Sequence, residues 1–149
     1  MKKLSRACGA AAALVLCACL CAPAAAAAES GQLRFPDDGK LKIAVFADTQ
    51  TTQNVSQNLI DGLEAVLEAE QPDLVIYLGD QVEGTHPFLH LGDNEAHVKR
   101  VIDQVLEPVV SRGIPFAVVF GNHDAQDAGV PKEVQMAYYR SFPGCLAVD

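Results

Sequence analysis

Cysteine and basic residues are both scarce in the part of the sequence that follows residue 28. Four of the five cysteines lie before that point, so Cys145 has no partner for an intrachain disulfide and is expected to be a small apolar residue. The same part holds 8 of the 11 Lys and Arg but all 19 Asp and Glu, a net charge of about −11. Because binding to a nucleic-acid backbone requires clustered cations, this charge argues against nucleic acid as a partner.

The first 28 residues contain no acidic side chain and have the layout of a secretory signal peptide. A basic start at residues 1–6 precedes an apolar core at residues 10–20 and a small-residue cleavage site at residues 26–28. This core is too short and too rich in alanine for a transmembrane helix. We therefore expect a secreted or extracytoplasmic protein without a membrane span, with a lipid anchor at Cys19 or Cys21 as the alternative.

Apolar residues in the rest of the chain alternate between strand and helix patterns. Residues 29–40 are polar and are interpreted as a linker that precedes one domain at residues 41–149. The order strand, helix, strand, helix, strand predicts an α/β fold with a parallel sheet and helical crossovers. The second strand is apolar throughout, which is typical of a strand covered on both faces. The predicted strands are residues 41–47, 74–78 and 114–120, and the predicted helices span about 55–70, 94–111 and 132–140.

Polar side chains follow each predicted strand at its carboxyl end. The stretches are DTQ at residues 48–50, GD at residues 79–80 and GNHD at residues 121–124. In open α/β sheets ligands bind beyond the carboxyl ends of the strands, so these stretches are expected to converge. Asp48 and Asp80 would repel one another in a partly dry crevice unless a cation lay between them. A pair of divalent ions about 3.5–4 Å apart can share one bridging carboxylate and hold a phosphoryl group.

Three blocks, "FADTQ", "LGDQ" and "VFGNHD", resemble the D-x-H, G-D and G-N-H-[DE] blocks of the calcineurin-like metallophosphoesterases. The longer stretches around them, "QPDLVIYLGD" and "VLEPVVSRGIPFAVVFGNHD", are most similar to the branch related to purple acid phosphatases and yeast Dcr2-type phosphatases. The resemblance runs from about Lys42 to Pro143. It implies that the βαβαβ unit is one half of a four-layer α/β/β/α sandwich.

The same resemblance implies roles for six residues and a reaction. His123 would donate a proton to the leaving oxygen or stabilise it, and Asp124 would orient His123. The substrate would be a phosphate monoester or diester, and the cofactors would be two divalent ions such as Mn, Fe or Zn. The implied metal ligands are Asp48 and Gln50 for the first ion, Asp80 for both ions, and Asn122 for the second ion.

The sequence departs from the family pattern in two places. Gln50 stands where the family usually has histidine, and a Gln oxygen is a weaker ligand than imidazole for zinc or iron. A G-H-x-H block is absent, so the chain is expected to be the N-terminal part of the phosphoesterase domain. A non-catalytic truncated product, or a small secreted domain that binds Mg²⁺ or Ca²⁺, is the alternative. His86 and His90 are either groups near the site or solvated loop residues.

Overall fold

A computed structural model describes residue 33 and residues 35–147. The predicted signal peptide and residues 29–32 and 34 of the predicted linker lie outside the described residues. Three strands alternate with three α-helices, which confirms the predicted α/β class. The elements are β1 (Ile43–Phe46), α1 (Gln57–Glu70), β2 (Leu74–Tyr77), a 3₁₀ turn (Pro87–His90), α2 (Asn94–Val110), β3 (Phe116–Val118), a π turn (His123–Asp127) and α3 (Lys132–Tyr139).

The two long helices begin where a local side chain accepts a free backbone N–H. The Ser56 hydroxyl accepts the N–H of Leu59 at 3.3 Å at the start of α1, and the Asp93 carboxylate accepts the N–H of Ala96 at 3.0 Å at the start of α2. Pro108 lies in the last turn of α2, close to where the helix ends. Within the part of the chain that the structure describes, no helix is long and apolar enough to cross a membrane.

The sheet is parallel, with the strand order β1-β2-β3. Ala44 lies opposite Val75, and Val75 lies opposite Phe116. Each crossover steps to the next strand in the same direction. Because such crossovers are right-handed, α1 and α2 must lie on the same face of the sheet.

The two faces of the sheet differ in burial. On the helix-covered face Val75, Tyr77 and Phe116 are all 0% exposed. On the opposite face Val45 is 52% exposed and Leu78 is 51% exposed. Within β2 itself this face is less open, because Leu74 is 7% exposed and Ile76 is half-buried. The prediction that the second strand is covered on both faces therefore holds at its start and fails at Leu78.

The outer edge of β3 is met by the C-terminal segment, which sequence patterns did not predict. Phe116 donates its N–H to the carbonyl of Gly144 at 2.9 Å and accepts the N–H of Leu146 at 2.7 Å. Cys145 lies between them in a parallel bridge to Phe116 and packs, half-buried, against the core. Its partly apolar surroundings agree with the expectation of a small packing residue.

Candidate metal centre

The loops after β1 and β2 run side by side and are joined by backbone hydrogen bonds. Asp48 donates its N–H to the carbonyl of Gly79 at 3.1 Å, and Gln50 donates its N–H to the carbonyl of Asp80 at 2.9 Å. Thr51 continues this ladder to Gln81 at 3.1 Å. The parallel pairing of β1 with β2 thus extends past the strand ends and places three of the predicted metal ligands on adjacent loops.

These three predicted ligands share an unusual backbone conformation. The φ angles are 54° at Asp48, 32° at Gln50 and 54° at Asp80. Residues other than glycine adopt positive φ infrequently, and such residues cluster at functional sites, where the surrounding structure holds them. Here the ladder between the two loops supplies that support. The conformation favours a functional role for this edge of the sheet.

Two glycines allow the loop after β2 to approach the loop after β3. Gly79 has φ of 97°, and a Cβ atom placed on it would collide with the backbone nitrogen of Gly121. A Cβ atom on Gly121 would collide with the carboxylate oxygen Oδ1 of Asp80. Both positions therefore require glycine for the backbones to come this close.

Two carboxylates lock these loops together by exchanging hydrogen bonds. Oδ1 of Asp80 accepts the N–H of His123 at 2.9 Å. In return, Oδ2 of Asp124 accepts the N–H of Asp80 at 2.6 Å and the N–H of Gly121 at 3.1 Å. Oδ1 of Asp124 accepts the N–H of Val82 at 2.9 Å. The loop that carries Asp80 and the loop that carries His123 are thus held as one unit.

Asp124 is a buried carboxylate, only 1% exposed. Burial raises the pKa of its carboxyl group, while the N–H groups of Val82, Gly121 and Asp80 oppose that rise. The side chain of Asp124 is thus engaged by backbone N–H groups of both loops. The expectation that Asp124 orients His123 stays a prediction.

His123 begins the π turn, next to the exposed Asn122. The imidazole is 21% exposed, and its Nδ1 lies 3.6 Å from Oδ2 of Asp127. Sequence patterns did not single out Asp127, because its approach to His123 depends on the π turn. Single π turns of this kind occur frequently at functional sites.

The other three histidines have structural contacts in the loop that precedes α2. Nδ1 of His86 accepts the N–H of Phe88 at 3.2 Å and so caps the 3₁₀ turn. A ring nitrogen of His90 lies 2.7 Å from the carbonyl of Gly84, and one of His97 lies 3.0 Å from the carbonyl of Leu89. These contacts favour loop-shaping roles over the ligand roles left open for His86 and His90.

The predicted ligand set consists of oxygen donors from two carboxylates and two side-chain amides. Such donors suit hard cations such as Mg²⁺, Mn²⁺ and Ca²⁺. One oxygen of Asp80 already accepts a backbone N–H, which leaves the other for a cation. Within residues 35–147, no three or more His, Cys, Asp or Glu side chains form a group that could hold a metal ion. The described residues therefore fit part of a metal centre and not a complete centre for two ions.

Comparison with known sequences agrees with this arrangement. The sequence profile of the calcineurin-like phosphoesterases matches residues 41–146, which contain all three strands and the loops described above. The chain therefore belongs to the calcineurin-like phosphoesterase family. The resemblance noted from the short blocks of sequence is confirmed.

Several relatives are similar to part of this chain. "Probable inactive purple acid phosphatase 14" of Arabidopsis thaliana is 30% identical over 78% of this chain and 31% of its own length. "Phosphatase DCR2" of Saccharomyces cerevisiae is 31% identical over 62% of this chain and 18% of its own length. "Probable inactive purple acid phosphatase 28" of A. thaliana is 28% identical over 62% of this chain and 25% of its own. The matched segments thus span about a third or less of these relatives.

A solved crystal structure superposes on 72% of this chain and 46% of its own length, with a TM-score of 0.47 and 15% identity. The strand order and register of this chain by themselves define its parallel α/β fold.

Proposed function

We propose that this chain takes part in the metal-dependent hydrolysis of phosphate monoesters or diesters. The observation that carries the proposal is the hydrogen-bonded convergence of three loops at the carboxyl edge of the sheet. The loops bring Asp48 and Gln50 next to Asp80, and bring Asp80 next to His123. Membership of the phosphoesterase family supports the reaction class.

The four oxygen-bearing side chains would hold the divalent ions, with Asp48, Gln50 and Asn122 at the rim and the half-buried Asp80 between them. When bound, the ions would neutralise negative charge on the phosphoryl oxygens. His123 would bring a proton to the leaving oxygen. Asp124 would keep the His123 loop and the Asp80 loop at a fixed separation through its three backbone N–H contacts.

A second candidate function is binding of a single cation without catalysis. Two observations favour it. The described residues lack a group of three or more acidic, imidazole or thiol ligands. Two of the relatives named above carry the word "inactive" in their names. In this case the two carboxylates and two amides would hold one Mg²⁺, Mn²⁺ or Ca²⁺ for structural purposes.

Two measurements separate the two candidates. The first is hydrolysis of p-nitrophenyl phosphate and bis(p-nitrophenyl) phosphate with added Mn²⁺, and the second is a calorimetric titration with Mn²⁺. For the hydrolase, we expect a chelator to abolish turnover and Asp80→Asn to lower kcat by about 10²-fold or more, the usual effect of removing one group that stabilises transition-state charge. Asp61→Asn on the surface of α1 is the matched control and should leave activity unchanged. Mn²⁺ binding that is lost in Asp80→Asn but is accompanied by no turnover would support the second candidate. Absence of both binding and turnover would contradict both candidates.

We also propose that the protein acts outside the cytoplasm, on the strength of the signal-peptide pattern in residues 1–28. Edman sequencing of the exported protein should begin near Glu29. A mature N-terminus that still includes residues 1–6 would contradict cleavage. Incorporation of a radioactive fatty acid into the protein, lost in the Cys19→Ser or Cys21→Ser variant, would indicate the lipid anchor instead.

A further inference from the structure

The imidazole of His123 has a buried nitrogen without a hydrogen-bond partner. Its Nδ1 is closed off from solvent and makes no hydrogen bond within the described residues. A buried polar atom left in this state costs roughly 1–3 kcal/mol. The carboxylate oxygen Oδ2 of Asp127 lies 3.6 Å away, just beyond hydrogen-bond distance. A small movement of either side chain would remove this cost.

The π turn explains why these two side chains face one another. Ala128 donates its N–H to the carbonyl of His123 at 2.9 Å, five residues back along the chain. Side chains four residues apart lie on the same side of a helical turn, so Asp127 lies beside the ring of His123. Contacts between catalytic groups are often long without substrate and shorten in the reacting complex.

The other nearby carboxylates already have partners. Asp124 accepts three backbone N–H groups, and Asp80 accepts the N–H of His123 itself. Glu83 accepts the hydroxyl of Thr85 at 3.1 Å. The backbone of His123 is fixed at its N–H and at its carbonyl, so the orientation of the ring depends on what its Nδ1 contacts.

We propose that Asp127 is a positioning residue that accepts the N–H of His123 Nδ1 and fixes the orientation and tautomer of the ring. In the neutral imidazole the single ring proton then lies on Nδ1, and Nε2 on the far side of the ring is free to meet a ligand. When the ring carries both protons, Nε2–H is the donor and Asp127 supplies the opposing charge. The catalytic consequence rests on the proposed phosphoesterase function, whereas the contact between the two side chains does not.

The tautomer is the first test, because it requires no activity. Long-range ¹H–¹⁵N correlation spectra of the whole chain, recorded at about pH 9 where an ordinary histidine is neutral, report which ring nitrogen carries the proton. A His123→Gln variant assigns the signal among the four histidines. We expect His123 to be protonated mainly on Nδ1 in the unmodified chain and mainly on Nε2 in Asp127→Ala.

Two further variants control this experiment. Asp127→Glu should restore the Nδ1–H form at least in part, and Glu133→Ala, which removes an exposed carboxylate from the start of α3, should leave the ring signals unchanged. A ring protonated mainly on Nε2 in the unmodified chain would overturn the proposal. The tautomer of the unmodified chain therefore tests the proposal even if Asp127→Ala fails to fold. The same tautomer in the unmodified chain and a folded Asp127→Ala would also overturn it.

Kinetics provide the second test if the chain hydrolyses phosphate esters. We expect Asp127→Ala to lower kcat by about tenfold, less than the roughly 10²- to 10⁴-fold that a positioned proton donor contributes. KM should change by less than about twofold, and Asp127→Glu should recover part of the lost rate. Absence of turnover in the unmodified chain would contradict the proposed function and leave the tautomer result standing. A changed tautomer with unchanged kcat would overturn the catalytic part of the inference.

Discussion

The two faces of the sheet have similar side chains but opposite surroundings. Val75 and Val45 lie on neighbouring strands, yet Val75 is 0% exposed under the helices and Val45 is 52% exposed on the other face. Burial of apolar surface stabilises the fold by roughly 25 cal/mol per Å². In the described residues, the stabilisation of the sheet therefore comes mainly from the helix-covered face, although Leu74 on the other face is also buried.

The sharpest test of this difference is the same substitution made on each face. Val75→Ala removes two buried methyl groups and leaves a cavity, so we expect it to lower the free energy of unfolding by about 2–3 kcal/mol. Val45→Ala should lower it by less than about 0.5 kcal/mol, as exposed substitutions usually do. Urea denaturation followed by circular dichroism measures both. Equal losses for the two variants would mean that the open face is also packed in solution.

A smaller effect is expected from the polar group that is buried on the helix-covered face. The hydroxyl of Tyr77 donates to the carbonyl of Val105 at 2.9 Å, and Tyr77→Phe should lower the free energy of unfolding by about 1 kcal/mol. Burial raises the pKa of Tyr77 above its ordinary value of about 10. The folded state thus favours the protonated form of Tyr77. The contribution of this protonated hydroxyl to the free energy of unfolding is complete below about pH 10 and is lost as pH rises further.

Urea denaturation at a series of alkaline pH values tests the second part of that expectation. Burial also raises the pKa of Tyr138, to about 12, and that of Tyr139. These two tyrosines remain in Tyr77→Phe, so the variant should lose stability less steeply with pH than the unmodified chain but should still lose it. Identical slopes in the two proteins would show that Tyr77 ionises freely and is not enclosed.

The smallest effect on stability is expected on the open face. Leu78→Lys places a charge at a position that is 51% exposed, so the free energy of unfolding should change by less than about 0.5 kcal/mol. Contiguous exposed apolar patches promote association, so sedimentation velocity at high protein concentration should show less self-association in this variant. Val118→Lys, on the covered face, is the contrasting variant and should prevent folding. A severe loss of stability in Leu78→Lys would mean that another part of the molecule covers this face.

Sequence periodicity predicted the elements because each one repeats its apolar residues at its own interval. The two long helices were found from spacings of three and four, and their starts were close to Ser56 and Asp93, the capping residues. The strands are shorter than predicted, since the apolar runs that defined them extend beyond the regularly paired strand residues. For the second strand, composition could not show how coverage changes along its outer face, because Leu74, Ile76 and Leu78 are all apolar.

Sequence patterns named candidate residues for the site but not the contacts between them. Short blocks of sequence pointed to Asp48, Asp80 and His123, since each lies within a few residues of the carboxyl end of a strand. The partners of Asp124 and the approach of Asp127 depend on a π turn and on bonds between residues about forty positions apart. Periodicity carries no signal for such contacts, because they are created only when two strand ends meet.

The exchanged hydrogen bonds between Asp80 and Asp124 have a consequence for the motions of the site. Each carboxylate holds backbone amides of the loop that carries the other, so neither loop can open while the other stays in place. Segments linked in this way fluctuate as one cooperative unit. The backbone amides of Asp80, Val82, Gly121 and His123 should therefore exchange their hydrogens with solvent at a common rate. The loops that follow β2 and β3 are then expected to open together and not independently.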